Sequence, residues 1–250
     1  MTDFPYQILR ATAHRPWPMP DAPWVMTQSW HDLLFAHWPV APDALRAVVP
    51  AQLPLDLFDG RGWIGVVPFH MTHVAPRGVQ WWPLTSAFPE LNVRTYVTLD
   101  DKPGVYFFSL DAGSRIAVAT ARALFHLPYY NATMAVECQS DAIRYVSRRQ
   151  SDGAPPATFE VRYHPTGPAA PPERGSLEYF LTERYCLYTF DRSARVRRLE
   201  IHHPPWPLQP AEATIVSNTM ASAAGLPVLP GRPLLHFSKR QDVVTWWMSR

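Results

Sequence analysis

Four short segments gather the side chains able to move a proton or hold a charged ligand. FPELNVRTYV (88–97) sets Glu90 four residues before Arg94, and LTERYCLY (181–188) carries Glu183, Arg184, Tyr185 and Tyr188. ARALFHLPYYNATM (121–134) places Arg122 upstream of a proline that is followed by Tyr129 and Tyr130. IHHPPWPL (201–208) sets His202, His203 and Trp206 in a loop locked by prolines. An arginine inside a sheet either pairs with a carboxylate of the protein or offers its planar fork to a substrate carboxylate. A tyrosine in a pocket donates to an oxyanion or carbonyl, or acts as acid or base if its surroundings move it far from a pKa of about 10. The plainer alternatives are a structural ion pair and rings that fill space.

Alternation limits which of these groups act together. Adjacent residues on an extended segment point opposite ways, so one of Tyr129 and Tyr130 at most faces a ligand. The same rule sends one of His202 and His203 to a pocket and the other to solvent. In LTERYCLY it puts Glu183 and Tyr185 on one face and Arg184 on the other. His70 and His73, three apart in HMTH, fall on a strand and point to opposite sides, so no shared metal is expected. There is no GxSxG, Walker loop, GxGxxG or HExxH, so serine-hydrolase, nucleotide and dinucleotide chemistry have no motif, and neither cofactor nor metal is expected.

The elements that must position these groups read mostly as strands. GWIGVVPFHMTHV (62–74), NVRTYVTL (92–99) and GVYFFSLDA (104–112) are rich in β-branched and aromatic residues, and DDKPG joins the last two as a hairpin turn. NATMAVECQSDAIRYVSRR (131–149) and ATFEVRYHP (157–165) alternate as antiparallel strands. Helices are predicted over 41–50, where Pro42 and Asp43 suit a first turn, over 114–126, feeding the Tyr129–Tyr130 loop, and at the start of 175–191. Eight or more strands with few short helices point to a mostly β chain whose antiparallel sheet curls or closes. The 28 prolines are spread along 250 residues rather than run together, and no linker divides the chain. A single domain over 1–250 is expected, with a less ordered segment at about 1–25.

Composition narrows the partners. A net charge of +2 gives no case for nucleic acid or an anionic membrane surface. No run approaches the roughly 20 apolar residues that span a bilayer. The first residues hold no apolar core of signal-peptide length, so a cytoplasmic location is expected. Cys138 and Cys186 lack CxxC spacing and read as two buried reduced thiols. Lys102 and Lys239 are the only lysines, so an amine nucleophile has two candidates.

With these segments in hand the chain resembles the DUF2071 (YqjF-like) family. The resemblance runs from about Trp30 to the end, through LLFAHWPVAPDALRAVVPAQLPLDLFDGRGWIGVVPFHM, FPELNVRTYV, PGVYFFSLDA, ARALFHLPYYNATM, LTERYCLY and HHPPWPL. That family is similar to the acetoacetate decarboxylase-like superfamily, which implies a closed antiparallel β-barrel around a central cavity. In true decarboxylases of that group a segment like ARE-x-WG-[FY]-P-K-K carries two lysines after the proline, the first forming a Schiff base with the β-keto acid. Here Arg122 falls on the motif arginine, Pro128 on the proline, Tyr129 on the Schiff-base lysine and Tyr130 on its neighbour. A phenol cannot form an imine, so Schiff-base decarboxylation is not expected. FPELNVRTYV looks like the counterpart of a superfamily segment with a glutamate near the barrel mouth, which places Glu90 in the cavity.

Tyr129, Tyr130 and Glu90 are therefore the candidate catalytic groups, and Arg94, Arg122, Glu183, His203 and Trp206 the candidate binding groups of an otherwise aromatic pocket. Two functions stay open. One is an enzyme, or degenerate enzyme, acting on a small oxo or carboxylate compound without a Schiff base. The other is a non-catalytic binding protein for an apolar or aromatic small molecule. The resemblance also implies dimers or larger homo-oligomers.

Overall fold

A computed structural model describes residues 5–79, 87–139, 141–150, 153–229 and 231–249. In chain order the elements are α1 (Tyr6–Arg10), β1 (Met26–Val40), α2 (Pro42–Arg46), β2 (Gly62–Pro76), β3 (Ala87–Leu99), β4 (Lys102–Ala112), α3 (Arg115–Phe125) and β5 (Tyr129–Gln139). There follow β6 (Ala142–Arg149), β7 (Thr158–Pro165), α4 (Leu177–Thr182), β8 (Cys186–Phe190), β9 (Val196–His202), β10 (Gln209–Asn218), α5 (Met220–Ala223) and β11 (Leu234–Thr245).

The strands form one sheet that closes twice. Nine of them make a circuit in the order β1-β2-β3-β4-β5-β6-β7-β10-β11, with β11 returning to β1. The remaining two, β8 and β9, bridge β4 to β11 and enclose a second space against β1–β4. Pairing is antiparallel except where β4 meets β5 and β8. The fold is mostly β, a closed barrel, as the residue pattern implies. Closure leaves the main strands without a free edge. None of the described helices is long and apolar enough to cross a membrane.

Because β1–β4 stand between the two spaces, their strands are buried on both sides, which explains their near-continuous apolar runs. Leu34, Ala36 and Trp38 of β1, Ile64 and Val66 of β2, and Leu91 and Val93 of β3 face the nine-strand interior. There they pack on Tyr145, Phe159, Val161 and Tyr163 from β6 and β7. The intervening residues, Leu33 and Phe35, Val67 and Phe69, and Glu90, Asn92 and Arg94, turn to the other side, where a cavity remains. The cavity lies on the side of β1–β3 away from that cluster.

Local chemistry fixes the joints. The β3–β4 turn is tighter than DDKPG suggests: Leu99 pairs with Lys102, and Asp100 and Asp101 both take positive φ (53° and 56°), the two-residue hairpin geometry. Helix α3 starts at Ser114, whose side chain accepts the Ala117 N–H at 3.3 Å, and ends at His126 in the left-handed region. Tyr129 and Tyr130 open β5 rather than sit in a loop.

Three expectations change. The segment 1–25 is anchored at several points from Pro5 onward: Arg15 is buried and donates to Glu200 Oε2 at 3.1 Å, Trp17 donates to the same oxygen at 2.8 Å, and Ile8 packs with Val244 and Trp246. This strap also covers His202, so both histidines of the pair are buried and neither meets solvent. Cys186 is buried, but Cys138 is exposed near the end of β5.

Gly104 makes the β4–β8 closure possible. A Cβ there would lie 2.7 Å from Cys186 Sγ and 2.8 Å from the Cys186 carbonyl oxygen, a backbone atom that cannot yield cheaply. Gly104→Ala is expected to cost roughly 1–3 kcal/mol, lowering Tm by about 3–10 °C for a chain of this size. Thermal unfolding followed by circular dichroism measures it, and an unchanged Tm would mean that β4 and β8 are not held this closely.

Candidate functional site

The hollow side of β3 carries three polar side chains in a row. With a period of two, Glu90, Asn92 and Arg94 share a face, opposite Phe69, Val67 and Gly65 of β2 in turn. Gly65 leaves room for them: a Cβ on it would fall 3.0 Å from His37 Nε2 and 3.3 Å from Arg94 Cγ, a tight fit. The cavity they line has a volume of about 280 Å³, and its other walls are largely aromatic and aliphatic, including Trp30, Phe35, Phe88, Phe107 and Trp206. Helix α3 covers one side through Ile116, Ala117, Thr120, Ala121 and Phe125.

Glu90 is only 2% exposed. Its Oε2 accepts the Tyr129 hydroxyl at 2.8 Å, and its backbone carbonyl accepts the Tyr145 hydroxyl at 2.7 Å. Burial pushes its pKa up to about 8; the Tyr129 hydrogen bond opposes that rise and the nearby charge of Asp111 adds to it. At neutral pH Glu90 is therefore mostly a carboxylic acid. With Oε2 accepting from Tyr129, the acid proton sits on Oε1. The Tyr129 phenol is held well above its ordinary range, by burial first and by Glu90 second, so it stays protonated.

Arg94 is 8% exposed and has no carboxylate partner among the described residues. It forms no ion pair with Glu90, the plainer arrangement that the spacing offered. Its Nη2 donates to the Leu181 carbonyl at 3.2 Å, and its guanidinium lies 5.5 Å from the Phe35 ring centre and 5.9 Å from that of Tyr96. Tyr96 donates to the same carbonyl at 2.8 Å and meets His37 Nε2 at 2.7 Å. Burial, and then the charge of Arg94, hold His37 well below the usual histidine range, so this imidazole is neutral. A second arginine, Arg184, also lines the cavity, but its charge is met by Asp56 and its Nε donates to the Phe180 carbonyl at 2.6 Å.

His203 and Trp206 complete the wall. His203 stacks on Tyr185 with 4.6 Å between centroids, and burial lowers its pKa to about 4, leaving it neutral. The Trp206 ring meets Phe35 edge-on at 4.9 Å, and its backbone N–H donates to Glu183 Oε1 at 2.8 Å.

Of the residues singled out in the sequence, Glu90, Arg94, Tyr129, His203 and Trp206 line the cavity; Tyr130, Arg122 and Glu183 do not. Tyr130 points away from Tyr129, as alternation requires, and its ring lies 4.2 Å from the Arg149 guanidinium and 5.6 Å from that of Arg122. Arg122 is exposed and its Nε donates to the Tyr129 carbonyl at 2.6 Å, so it braces the backbone beneath the phenol. Glu183 is spent on Tyr185 and on the Trp206 N–H, because the turn from α4 into β8 aims Arg184, not Glu183, at the cavity. Asn92 and Arg184 were missed. Period-two alternation from Glu90 to Arg94 would have marked Asn92, while Arg184 depends on a turn that no periodicity describes.

Neither lysine lines the cavity: Lys102 pairs with Glu200 at 3.1 Å and Lys239 with Asp32 at 2.5 Å. Among the described residues no group of three His, Cys, Asp or Glu side chains could hold a metal ion.

Comparison with solved structures places this architecture. The chain is similar to acetoacetate decarboxylase from Legionella pneumophila at a TM-score of 0.61, with 11% identity, over 97% of this chain and 94% of that one. It is equally similar to the enduracididine biosynthesis enzyme MppR, solved with pyruvate, at a TM-score of 0.61 and 11% identity over 95% and 92% of the two chains. At such identities the likeness establishes the fold alone. In sequence the chain is 50% identical over 228 residues to the uncharacterized protein YqjF of Bacillus subtilis (strain 168), covering 91% of this chain and 93% of that one. The model of DUF2071, described as an uncharacterized conserved protein, matches residues 27–242. The chain belongs to the DUF2071 family.

Proposed function

We propose that the cavity binds a small organic anion, a carboxylate or oxo acid, and that Glu90 acts on it as a proton donor without a Schiff base. The observation that carries this reading is Arg94, a buried guanidinium on the cavity wall with no carboxylate partner among the described residues. Burying an unpaired charge costs several kcal/mol, and one carbonyl and two ring faces offset only part of it. A ligand carboxylate supplies the missing charge in the fork geometry that guanidinium favours.

The state of Glu90 fits such a ligand. A protonated acid does not repel an anion, and its hydroxyl can donate to a carbonyl oxygen as negative charge develops there, the role of a general acid. Tyr129 acts through Glu90: by donating to Oε2 it fixes the rotamer and keeps the acid proton on the other oxygen. An amine nucleophile has no counterpart on this wall. The resemblance of the fold to acetoacetate decarboxylase and to an enzyme solved with pyruvate supports small acids as the compounds to test. The predominantly apolar walls favour the second reading, a carrier for an apolar molecule, and that reading predicts no dependence on ligand charge.

Arg94→Met separates the two. On the enzyme reading it weakens binding of a carboxylate probe by roughly 30-fold or more, the scale of removing one partner of a buried charge pair. Without ligand the variant should be as stable as the parent or more stable, because an uncompensated charge has been removed. Calorimetric titration and thermal unfolding read both. Unaltered affinity would remove Arg94 from the site.

The pH dependence follows from Glu90. Its folded pKa of about 8 lies above the ordinary 4.5, so the folded chain holds a proton that the unfolded chain releases. The contribution of Glu90 to stability is therefore full below about pH 4.5 and declines as pH rises towards 8, by a few kcal/mol at most. Glu90→Gln should remove this contribution, leaving those of Asp111, raised to about 6 by burial, and of Glu183, also raised by burial, and the opposing one of buried His202 and His203, which are lowered to about 4. Chemical denaturation across pH 5–9 tests it, and parallel slopes for the two proteins would show that Glu90 is ionised throughout.

A further inference from the structure

Two groups able to hold a ligand stand well apart in one cavity. Glu90 and Arg94 share a face of β3, and four residues of strand set their Cα atoms about 13 Å apart. β3 pairs with β2 over this stretch without a register shift, so no bulge against β2 shortens the spacing. The side chains do not close the gap. The Arg94 guanidinium leans towards Tyr96, two residues further from Glu90, with 5.9 Å to its ring centre. Its Nη2 and the Tyr96 hydroxyl meet on the Leu181 carbonyl, at 3.2 and 2.8 Å. Glu90 is held at the other end by Tyr129, where β5 joins β4 at Leu110–Ala112; β8 joins β4 at Val105 and Tyr106, beyond the Arg94 end.

Each end keeps bonding capacity for a ligand. No hydrogen bond among the described residues uses Glu90 Oε1, and Arg94 has only the Leu181 carbonyl and the neighbouring Tyr96 hydroxyl for its guanidinium N–H groups. Of these side-chain atoms only Arg94 Nε is sealed inside protein without a partner. Asn92 Oδ1, Trp206 Nε1 and Thr245 Oγ1 on the same wall are sealed in the same way and meet no ligand. Between the two ends β3 presents Asn92, flanked on the neighbouring strands by the apolar side chains of Val67 and Leu110.

Length follows from the separation. With a hydrogen bond of about 3 Å at each end, a ligand in contact with both places its carboxylate and its carbonyl at least about 7 Å apart. Carbon–carbon bonds of about 1.5 Å in a zigzag advance about 1.3 Å each, so about five or more bonds separate the two carbons. The volume agrees: at about 30 Å³ per water-sized group, the cavity of about 280 Å³ takes roughly nine of them, far more than a three-carbon acid fills. An oxo acid with its carbonyl next to the carboxylate, held by Arg94, leaves that carbonyl well short of Glu90.

We propose that the cavity selects elongated oxo acids: Arg94 holds the carboxylate, an apolar chain lies along Val67 and Leu110, and Glu90 donates to a carbonyl about five or six bonds away. The two anchors rest on the function proposed above; their spacing, and with it the chain length, is the addition.

Calorimetric titration of the full chain with pyruvate and with straight-chain methyl-ketone acids of five to eight carbons tests it, each beside the parent acid that lacks the oxo group. The tightening that the oxo group brings is expected to be absent up to six carbons and about fivefold at seven or eight, the scale of one net hydrogen bond. Glu90→Leu should bring the eight-carbon ratio close to one while the parent acids bind as before. The chain-length series needs no variant and decides the matter even if Glu90→Leu is unstable. A ratio that is largest at six carbons or fewer, that stays near one at every length, or that a folded Glu90→Leu leaves unchanged overturns the proposal. If the acids in that case still bind more tightly than the eight-carbon methyl ketone without a carboxylate, and weaken in Arg94→Met, the anion site stands and only the spacing is lost. If no acid binds, or that ketone binds as well as they do, the anion site falls with it.

Discussion

β1, β2 and β3 have no solvent face, and everything else in the molecule is arranged around that constraint. A strand buried on both sides must satisfy two environments with alternate residues, here a packed interior and a cavity. In β3 the packed set is Leu91 and Val93 and the cavity set Glu90, Asn92 and Arg94. A slip of one residue would drive an acid, an amide and a guanidinium into a cluster built of Tyr145, Phe159, Val161 and Tyr163. The register that protects the packed side is thus the one that presents the polar row to the cavity. Structure and site share one determinant, and substitutions at either set will be felt by the other.

Charge is distributed unevenly across this wall. Arg184 has Asp56, and Arg149 has the fully buried Asp111 at 2.9 Å. Arg94 has a carbonyl and two aromatic faces. Glu90 lies on the same face of the same strand, but four residues along a strand separate the two by about 13 Å. Burial, with the Asp111 carboxylate close by, also keeps Glu90 from ionising readily. Tyr145 reinforces this from the packed side by reaching through to the Glu90 carbonyl, so the acid's backbone is anchored independently of its side chain.

How much of this could be read in advance depended on whether a local rule governed the position. GVYFFSLDA and ATFEVRYHP show their strands through composition, and Glu90 and Arg94 could be placed on one face by counting. The two tyrosines part company across β5, as alternation demands. What failed was non-local. Glu183 was preferred to Arg184 because strand alternation was applied to residues that lie in the turn between α4 and β8, where it does not hold. Alternation sends one of His202 and His203 to solvent, because nothing near them in sequence shows that a strap nearly two hundred residues earlier covers His202, whose Nε2 meets the Ile8 carbonyl at 2.8 Å. Arg122 matched a motif position, yet the turns of α3 leave it outside, bonded to backbone.

A phenol at position 129, rather than an amine, affects more than the chance of an imine. An ammonium 2.8 Å from Glu90 would favour the carboxylate and pull the acid's pKa down, producing a neutralised ion pair. A phenol does the reverse: it donates one hydrogen bond, brings no charge, and leaves burial to decide the protonation state. The cavity then keeps Arg94 as its one cation without a carboxylate partner among the described residues, with an uncharged acid beside it at neutral pH. Neither lysine lines this cavity, so what the wall offers is the charge of Arg94 at one end and rings and aliphatic chains along the rest.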